Sequence, residues 1–179
     1  IDINDEVAIG YPTTPEVIYG FGISSSYKNF DLSFFFQGSL NSSFFIDAYN
    51  TSPFIDTSGG AIGNNALLSA WANDHWSEND RNLYAAWPRL SDQLIDNNNR
   101  NSTWWLRDGS FLRLKSIEFG YSIPDRLASR VNLSSARVYI TGSNLLTFSK
   151  FKLWDVEMGG NGLGYPIQQG ANIGVNLNF

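Results

Sequence analysis

The chain has 179 residues, 42% of them hydrophobic and only 16% charged, with a formal net charge of −5; the length supports a domain-sized core, and the acidic balance leaves no basic patch for nucleic acid. It contains no cysteine and one histidine, His75, which excludes Cys-based nucleophiles and multi-histidine metal sites. No run approaches the roughly 18 consecutive apolar residues of a transmembrane helix, and 16 glycines with 15% aromatics disfavour helical packing.

The first residue is Ile1, with neither an initiator Met nor a signal peptide, and the expectation is a cleaved or truncated piece of a longer protein. Residues 1–16 read as loop through Gly10, Pro12 and Pro15. Within them Asp2, Asn4 and Asp5 suit the end of a carboxylate-rich calcium loop, a hard cation wanting several closely spaced oxygens, or a plain solvated turn. From Val17 the period becomes two, with Tyr19, Phe21, Ile23 and Tyr27 on one face and Gly20, Gly22, Ser24 and Ser26 on the other. Lys28-Asn29 makes a tight turn, after which Phe30, Leu32, Phe34 and Phe36 alternate with Asp31, Ser33, Phe35 and Gln37. A two-residue hairpin loop pairs Tyr27 with Phe30, Ser25 with Leu32, Ile23 with Phe34 and Phe21 with Phe36. The aromatics beside the turn suit an interfacial girdle.

The stretch 41–103 is irregular and rich in Pro, Gly, Asn and Ser, a length normally reserved for function. A short helix is predicted over 65–75. Strand returns over 104–123, with Ile117, Phe119, Tyr121 and Ile123 on the apolar face. Carried backwards, that parity puts Arg113 and Lys115 on the same face, so either a bulge shifts the register near Ser116 or the two bases snorkel to headgroups. Counting back from Ile123 over the about 9–11 residues of a tilted spanning strand favours snorkelling. A turn with one helical turn over 126–131 precedes Val138, Ile140, Gly142, Leu146 and Phe148, among which Asn144 is out of place. A second long loop, 150–165, carries Trp154, Asp155 and Glu157. In the last stretch Ile173, Val175, Leu177 and Phe179 oppose Asn172, Gly174, Asn176 and Asn178.

The result is an all-β expectation: five antiparallel strands, over about 16–27, 30–40, 104–123, 136–149 and 166–179, joined by short and long connections in alternation. One apolar and one polar face per strand, with all tight turns on one rim, is what a wall between lipid and a wet lumen requires. Phe21, Ile23, Phe34, Phe36, Ile117, Phe119, Val175 and Leu177 would then face lipid. Five tilted strands cannot close a barrel, so the wall must be completed elsewhere. The alternative is a soluble Trp-rich β-sandwich that binds carbohydrate, in which the same stripes pack against each other.

Several segments together resemble the SusC/RagA-type TonB-dependent outer-membrane transporters. They are Ile9-Gly10 with Pro12 and Tyr19-Gly20-Phe21-Gly22; Tyr27-Lys28-Asn29-Phe30-Asp31-Leu32-Ser33 with Phe35-Phe36-Gln37-Gly38; Trp76-Ser77-Glu78-Asn79 with Pro88-Arg89-Leu90; Leu112-Arg113-Leu114-Lys115 with Gly120-Tyr121-Ser122-Ile123-Pro124; and Arg137-Val138-Tyr139-Ile140 with Gly142-Ser143-Asn144-Leu145. Asn172, Gly174, Leu177 and Phe179 match the membrane-insertion signal of a closing outer-membrane strand. The resemblance implies the C-terminal part, 1–179, of a plugged barrel of about 22 strands, with 41–103 and 150–165 extracellular. It also implies nutrient import, of oligosaccharides more than peptides, without an enzymatic step or cofactor. Implied partners are a SusD-like substrate-binding lipoprotein, TonB through an absent N-terminal part, the barrel-assembly machinery, the plug and remaining barrel, and outer-membrane lipid.

Catalytic ingredients are sparse. A Ser/His/Asp triad would depend wholly on His75, and Asp155 with Glu157 would be the one glycosidase-like carboxylate pair, more simply read as flanking a wet loop. The tryptophans are the candidate binding residues: Trp71, Trp76, Trp87, Trp104, Trp105 and Trp154 all lie in or beside the long loops. A flat ring with one donor suits a sugar face or a docking partner, and packing of the loops into a rigid cap would use the same residues.

Overall fold

The computed structural model describes residues 3–54, 67–91 and 95–179. Two compact units are formed. A loop unit comprises Ile1–Thr13, Ser43–Asp108 and Phe151–Pro166, and a sheet unit comprises Thr14–Ser42, Gly109–Lys150 and Ile167–Phe179. The strands are β1 (Val17–Tyr27), β2 (Phe30–Leu40), β3 (Ser43–Phe45), β4 (Leu106–Asp108), β5 (Phe111–Ser122), β6 (Ser135–Ser149) and β7 (Gly170–Asn178). Short helices are α1 (Ala48–Thr51), α2 (Ser69–Asn73), α3 (Asp96–Asn99) and α4 (Asp125–Ala128). Among the described residues no helix is long and apolar enough to cross a membrane, which says nothing of crossing by strands.

The sheet unit is one antiparallel sheet in the order β1-β2-β5-β6-β7. Lys28 takes a left-handed φ of 54° in the two-residue turn, and the hairpin has the expected register, Tyr27 with Phe30 through Phe21 with Phe36. Strand β5 starts at Phe111 rather than at 104, because the Trp104-Trp105 segment is occupied by a turn in which the Trp105 and Leu106 amides donate to the Ser102 carbonyl.

The conflict at Arg113 and Lys115 resolves by a bulge, correcting the snorkelling expectation. Phe35 pairs with Ser116 and Phe36 with Leu114, so Lys115 is an extra residue with no opposite number on β2. The shift returns Leu112 and Leu114 to the apolar face, where they pair with Phe148 and Leu146. Arg113 moves to the other face, opposite Gln37 and Thr147, and is 2% exposed. Asn144, the misfit of β6, sits in the matching irregularity between Ser143 and Leu146 at a left-handed φ of 53°. Its side-chain amide donates to the Gln168 carbonyl at 3.0 Å, a local use for which Asn is suited.

In the loop unit, β3 and β4 form a two-stranded ribbon, Ser43 with Asp108 through Phe45 with Leu106, continued by the Ile46 amide donating to the Trp105 carbonyl at 2.9 Å. Around it pack Phe44, Ile46, Ala48, Ala85, Ala86, Phe151 and Val156, all buried. Gly160 is needed here by close approach: the Asp47 amide donates to the Gly160 carbonyl at 3.0 Å, and a Cβ at Gly160 would strike the Phe45 carbonyl oxygen. The helix predicted over 65–75 is present as α2, while Asn65 and Ala66 lie outside the described residues. The helical turn expected over 126–131 is α4 followed by a 3-10 turn, ended by Asn132 at a left-handed φ of 59°.

Candidate functional site

The two faces of the sheet differ chemically along its whole width. On one, register brings Phe21 beside Phe36, Ile23 beside Phe34, Phe34 beside Ile117, Leu32 beside Phe119, Phe119 beside Ile140 and Ile140 beside Ile173. Phe21 and Phe36 stack at 5.4 Å between centroids, and Phe30 lies 5.8 Å from Phe119 and 4.7 Å from Tyr121. Most of these side chains are not covered: Ile23 is 60% exposed, Ile140 52% and Ile173 76%, while Phe34, Phe36 and Ile117 are half-buried among them. A sandwich needs such stripes to meet one another in a dry interior, and here they do not. A continuous exposed apolar surface of this extent marks an interaction with something apolar.

The opposite face carries a polar cluster that periodicity alone does not pick out. Arg137 on β6 donates from Nε to Asp31 Oδ2 on β2 at 3.0 Å, from Nη2 to the other Asp31 oxygen, and from Nη2 to Glu118 Oε1 on β5 at 2.6 Å. The guanidinium fork thus ties three strands with charge-assisted bonds. It lies over Gly120, where any Cβ would collide with both Arg137 and Asp31. The signal in the sequence is a bare residue between opposite charges on adjacent strands.

The tryptophans divide. Trp71, Trp87 and Trp105 are 0%, 3% and 1% exposed, and their rings contact in series, Trp71 to Trp87 at 4.8 Å and Trp87 to Trp105 at 4.9 Å. Trp71 Nε1 donates to the Thr51 carbonyl at 3.2 Å and Trp105 Nε1 to the Asn98 carbonyl at 2.8 Å. These three are the core of the loop unit, which corrects their assignment to a binding surface: a ring enclosed on both faces offers none to a ligand. Trp154, half-buried, meets Trp71 and Phe151 edge-on at 6.0 and 5.0 Å and donates to the Gly159 carbonyl at 2.7 Å. Trp76 and Trp104 are half-buried and keep surface.

Trp104 borders a cavity of about 840 Å³ within the loop unit, between the segment around Asp5 and Glu6 and the segment 97–104. The latter includes the Asn-rich run of the irregular stretch. Behind it Arg107 donates to the Trp104 and Leu106 carbonyls at 2.6 and 3.0 Å, and burial holds its guanidinium below its ordinary range, though an arginine stays charged in proteins.

The remaining candidates have structural uses. His75 Nδ1 lies 3.0 Å from the Trp71 carbonyl and 3.1 Å from that of Ala72, at the end of α2. Asp155 accepts the Glu157 amide at 3.0 Å and caps a 3-10 turn. Of the calcium candidates, Asp2 lies outside the described residues, and Asn4 and Asp5 share one 3-10 turn. Among the described residues no three His, Asp or Glu side chains are grouped as a metal would need.

No family model matches the chain. It is 31% identical over 194 aligned positions to the TonB-dependent receptor P26 of Formosa agariphila, covering 100% of this chain and 18% of that protein. To the TonB-dependent receptor SusC of Bacteroides thetaiotaomicron it is 28% identical over 182 positions, covering 100% of this chain and 16% of that protein. The RagAB peptide importer in its closed-closed state superposes with a TM-score of 0.72 at 28% identity, covering 100% of this chain and 19% of that one. In the open-open state the TM-score is 0.69 at 26% identity, with the same coverage of both chains. The chain therefore spans less than a fifth of the length of the curated relatives it matches. Full-length coverage of this chain by receptors of one kind, in sequence and in structure, establishes that it belongs to the SusC/RagA-type TonB-dependent outer-membrane transporter family.

Proposed function

We propose that the chain is the C-terminal barrel wall and extracellular loops of an importer in the outer membrane that moves large nutrients, oligosaccharide in preference to peptide. The observation that carries this is the exposed apolar surface that one face of the sheet presents across all five strands, from Ile23 on β1 to Val175 on β7. Such a surface is stable facing acyl chains and costly facing water. The open edges of β1 and β7 supply unpaired backbone groups for the rest of a barrel of about 22 strands. Phe21, Ile23, Phe34, Phe36, Ile117, Phe119, Val175 and Leu177 would face lipid, and Asn172, Gly174, Leu177 and Phe179 would present the insertion signal to the barrel-assembly machinery. A SusD-like lipoprotein would close the mouth of the barrel, and TonB would supply energy through a plug outside this chain.

The reading is tested in the full-length receptor, freed of other cysteines, by placing a nitroxide at Ile23, Ser24, Val175 or Asn176 in turn. Labels at Ile23 and Val175 are expected to be relaxed by molecular oxygen and shielded from a water-soluble nickel chelate. Those at Ser24 and Asn176 should show the reverse. Equal chelate access at Ile23 and Ser24 would falsify a lipid-facing wall.

A further inference from the structure

We infer that one rim of the sheet unit, where the Lys28-Asn29 turn meets the 123–134 connection, is a binding surface for the phosphate groups of an anionic phospholipid leaflet. The inference rests on the lipid-facing reading of the wall and adds a headgroup preference to it. The two connections are brought together by the Ser122 amide, which donates to the Asn29 carbonyl at 2.8 Å. Toward this rim the apolar face ends in rings. Tyr27 pairs with Phe30 and Phe30 with Tyr121, and the three are 71%, 48% and 36% exposed. A ring with a polar tip is at ease where acyl chains give way to headgroups. Past the rings stand cations. Lys28 Nζ lies 5.3 Å from the centroid of the Tyr27 ring, and Arg126 and Arg130 are exposed on the 123–134 connection. None of the three forms an ion pair with a carboxylate among the described residues, whereas Asp31 and Glu118 on the adjoining strands are engaged by Arg137. Set against Asp125, these cations leave the side chains of the two connections at a formal +2, in a chain whose net charge is −5.

The 123–134 connection also has the chemistry of an interfacial segment. Helix α4 and the 3-10 turn that follows it form one helical stretch, 125–131. Ala128 anchors it, 2% exposed and accepting the Leu133 amide at 3.1 Å. Leu127 and Val131 stay 49% and 66% exposed, about one helical turn apart and each next in sequence to one of the two arginines. Apolar and basic side chains on one exposed turn match the two layers of a leaflet, and the long arginine stems span from acyl chain to phosphate. Short connections of such walls face the periplasm, which assigns the surface to the inner leaflet.

The test uses the full-length receptor, freed of other cysteines and carrying a fluorophore at Ser134, in bilayer discs of phosphatidylcholine. Phosphatidylglycerol bearing a quenching nitroxide is titrated in, and the titration is repeated with nitroxide-bearing phosphatidylcholine. The anionic lipid is expected to quench at a mole fraction at least about fivefold lower than the neutral one. Arg126→Gln with Arg130→Gln should bring the two lipids within about twofold of each other. Arg126→Lys with Arg130→Lys keeps the charge and should keep the preference, as should Lys152→Gln, which removes a cation of the loop unit. Equal quenching by both lipids in the unaltered receptor, an undiminished preference in the glutamine pair, or its loss in the lysine pair overturns the inference. So does quenching by neither lipid, which would put a protein segment on the rim. Failure of the lipid-facing wall is seen separately, as chelate access to a label at Ile23.

Discussion

Trp105 occupies the interior of the loop unit at 1% exposure and directs its single polar atom at the Asn98 carbonyl, 2.8 Å away. One side chain therefore fills volume and fixes the cavity wall at once. Replacing it by alanine leaves a cavity and an unpaired carbonyl, and Trp105→Ala is expected to cost the loop unit about 3–5 kcal/mol. In the folded full-length receptor this should appear as cleavage within 43–108 accelerated by more than about a hundredfold under limiting protease, with migration of the barrel unaltered. Trp76→Ala, at a half-buried position, should change the same rate by less than about tenfold. Unchanged cleavage of the Trp105→Ala protein would contradict its role as the anchor of the unit. That Trp71, Trp87 and Trp105 are interior while Trp76 and Trp104 keep surface was not legible in the sequence. Four of the six lie in stretches without a period, Trp104 and Trp105 stand at the head of the strand expected over 104–123 where the chain instead turns, and only a period assigns a face before the chain is folded. Residue type announced an aromatic cluster, and three-dimensional packing decided which of its members remained available.

At the scale of elements, the strands were the most legible part of the chain, because burial of one sheet face writes a period of two into the sequence. Val17 to Tyr27 and Phe30 to Leu40 could be paired residue by residue from the turn at Lys28-Asn29. The three-residue strands β3 and β4 were not foreseen; three residues are too few to show a period, and their pairing joins positions more than sixty residues apart. The bulge was half legible. Two bases on an apolar parity announced that something had shifted, yet snorkelling explained them as well until the partner strands were known. As the extra residue opposite β2, Lys115 keeps Leu112 and Leu114 on one face and Arg113 on the other. Deleting Lys115 should reverse every side chain on one side of it, bringing Arg113 to the apolar face at a cost of about 2–4 kcal/mol near a bilayer midplane and turning two leucines to the polar face. Lys115→Ala preserves the count and should be tolerated. The comparison is read as the fraction of full-length receptor reaching the outer membrane in heat-modifiable form. Equal assembly of the deletion and the substitution would show that the bulge does not set the register.

On the scale of the whole chain, the division into two units follows from two ways of burying apolar surface. The loop unit encloses its own aromatic core, as a water-exposed body must, whereas the sheet unit leaves many of its large apolar side chains, Phe21, Ile23, Phe119 and Ile173 among them, uncovered. The chain passes between the two only a few times, and the structure shows how short one passage can be made. The Gly109 amide donates to the Ser42 carbonyl at 2.8 Å, so residues 43–108 leave and re-enter the sheet unit at one point, and a tight turn can replace them. Residues 151–166 form the second excursion, and outside it Asn144 donates to the Gln168 carbonyl and Gln169 to the Leu145 carbonyl, bonds of 3.0 and 3.1 Å that tie β6 to the residues leading into β7 and that the excision leaves in place. A full-length receptor in which both excursions are replaced by short Gly-Asn turns should therefore still insert and migrate as a folded barrel, because every pairing of the five strands is retained. Uptake of its nutrient should fall to background, since the cavity, the tryptophan core and the loops that would meet a lid are gone together. Loss of the heat-modifiable form would instead mean that the loop unit is required to build the wall. Retained uptake would place recognition outside this chain altogether.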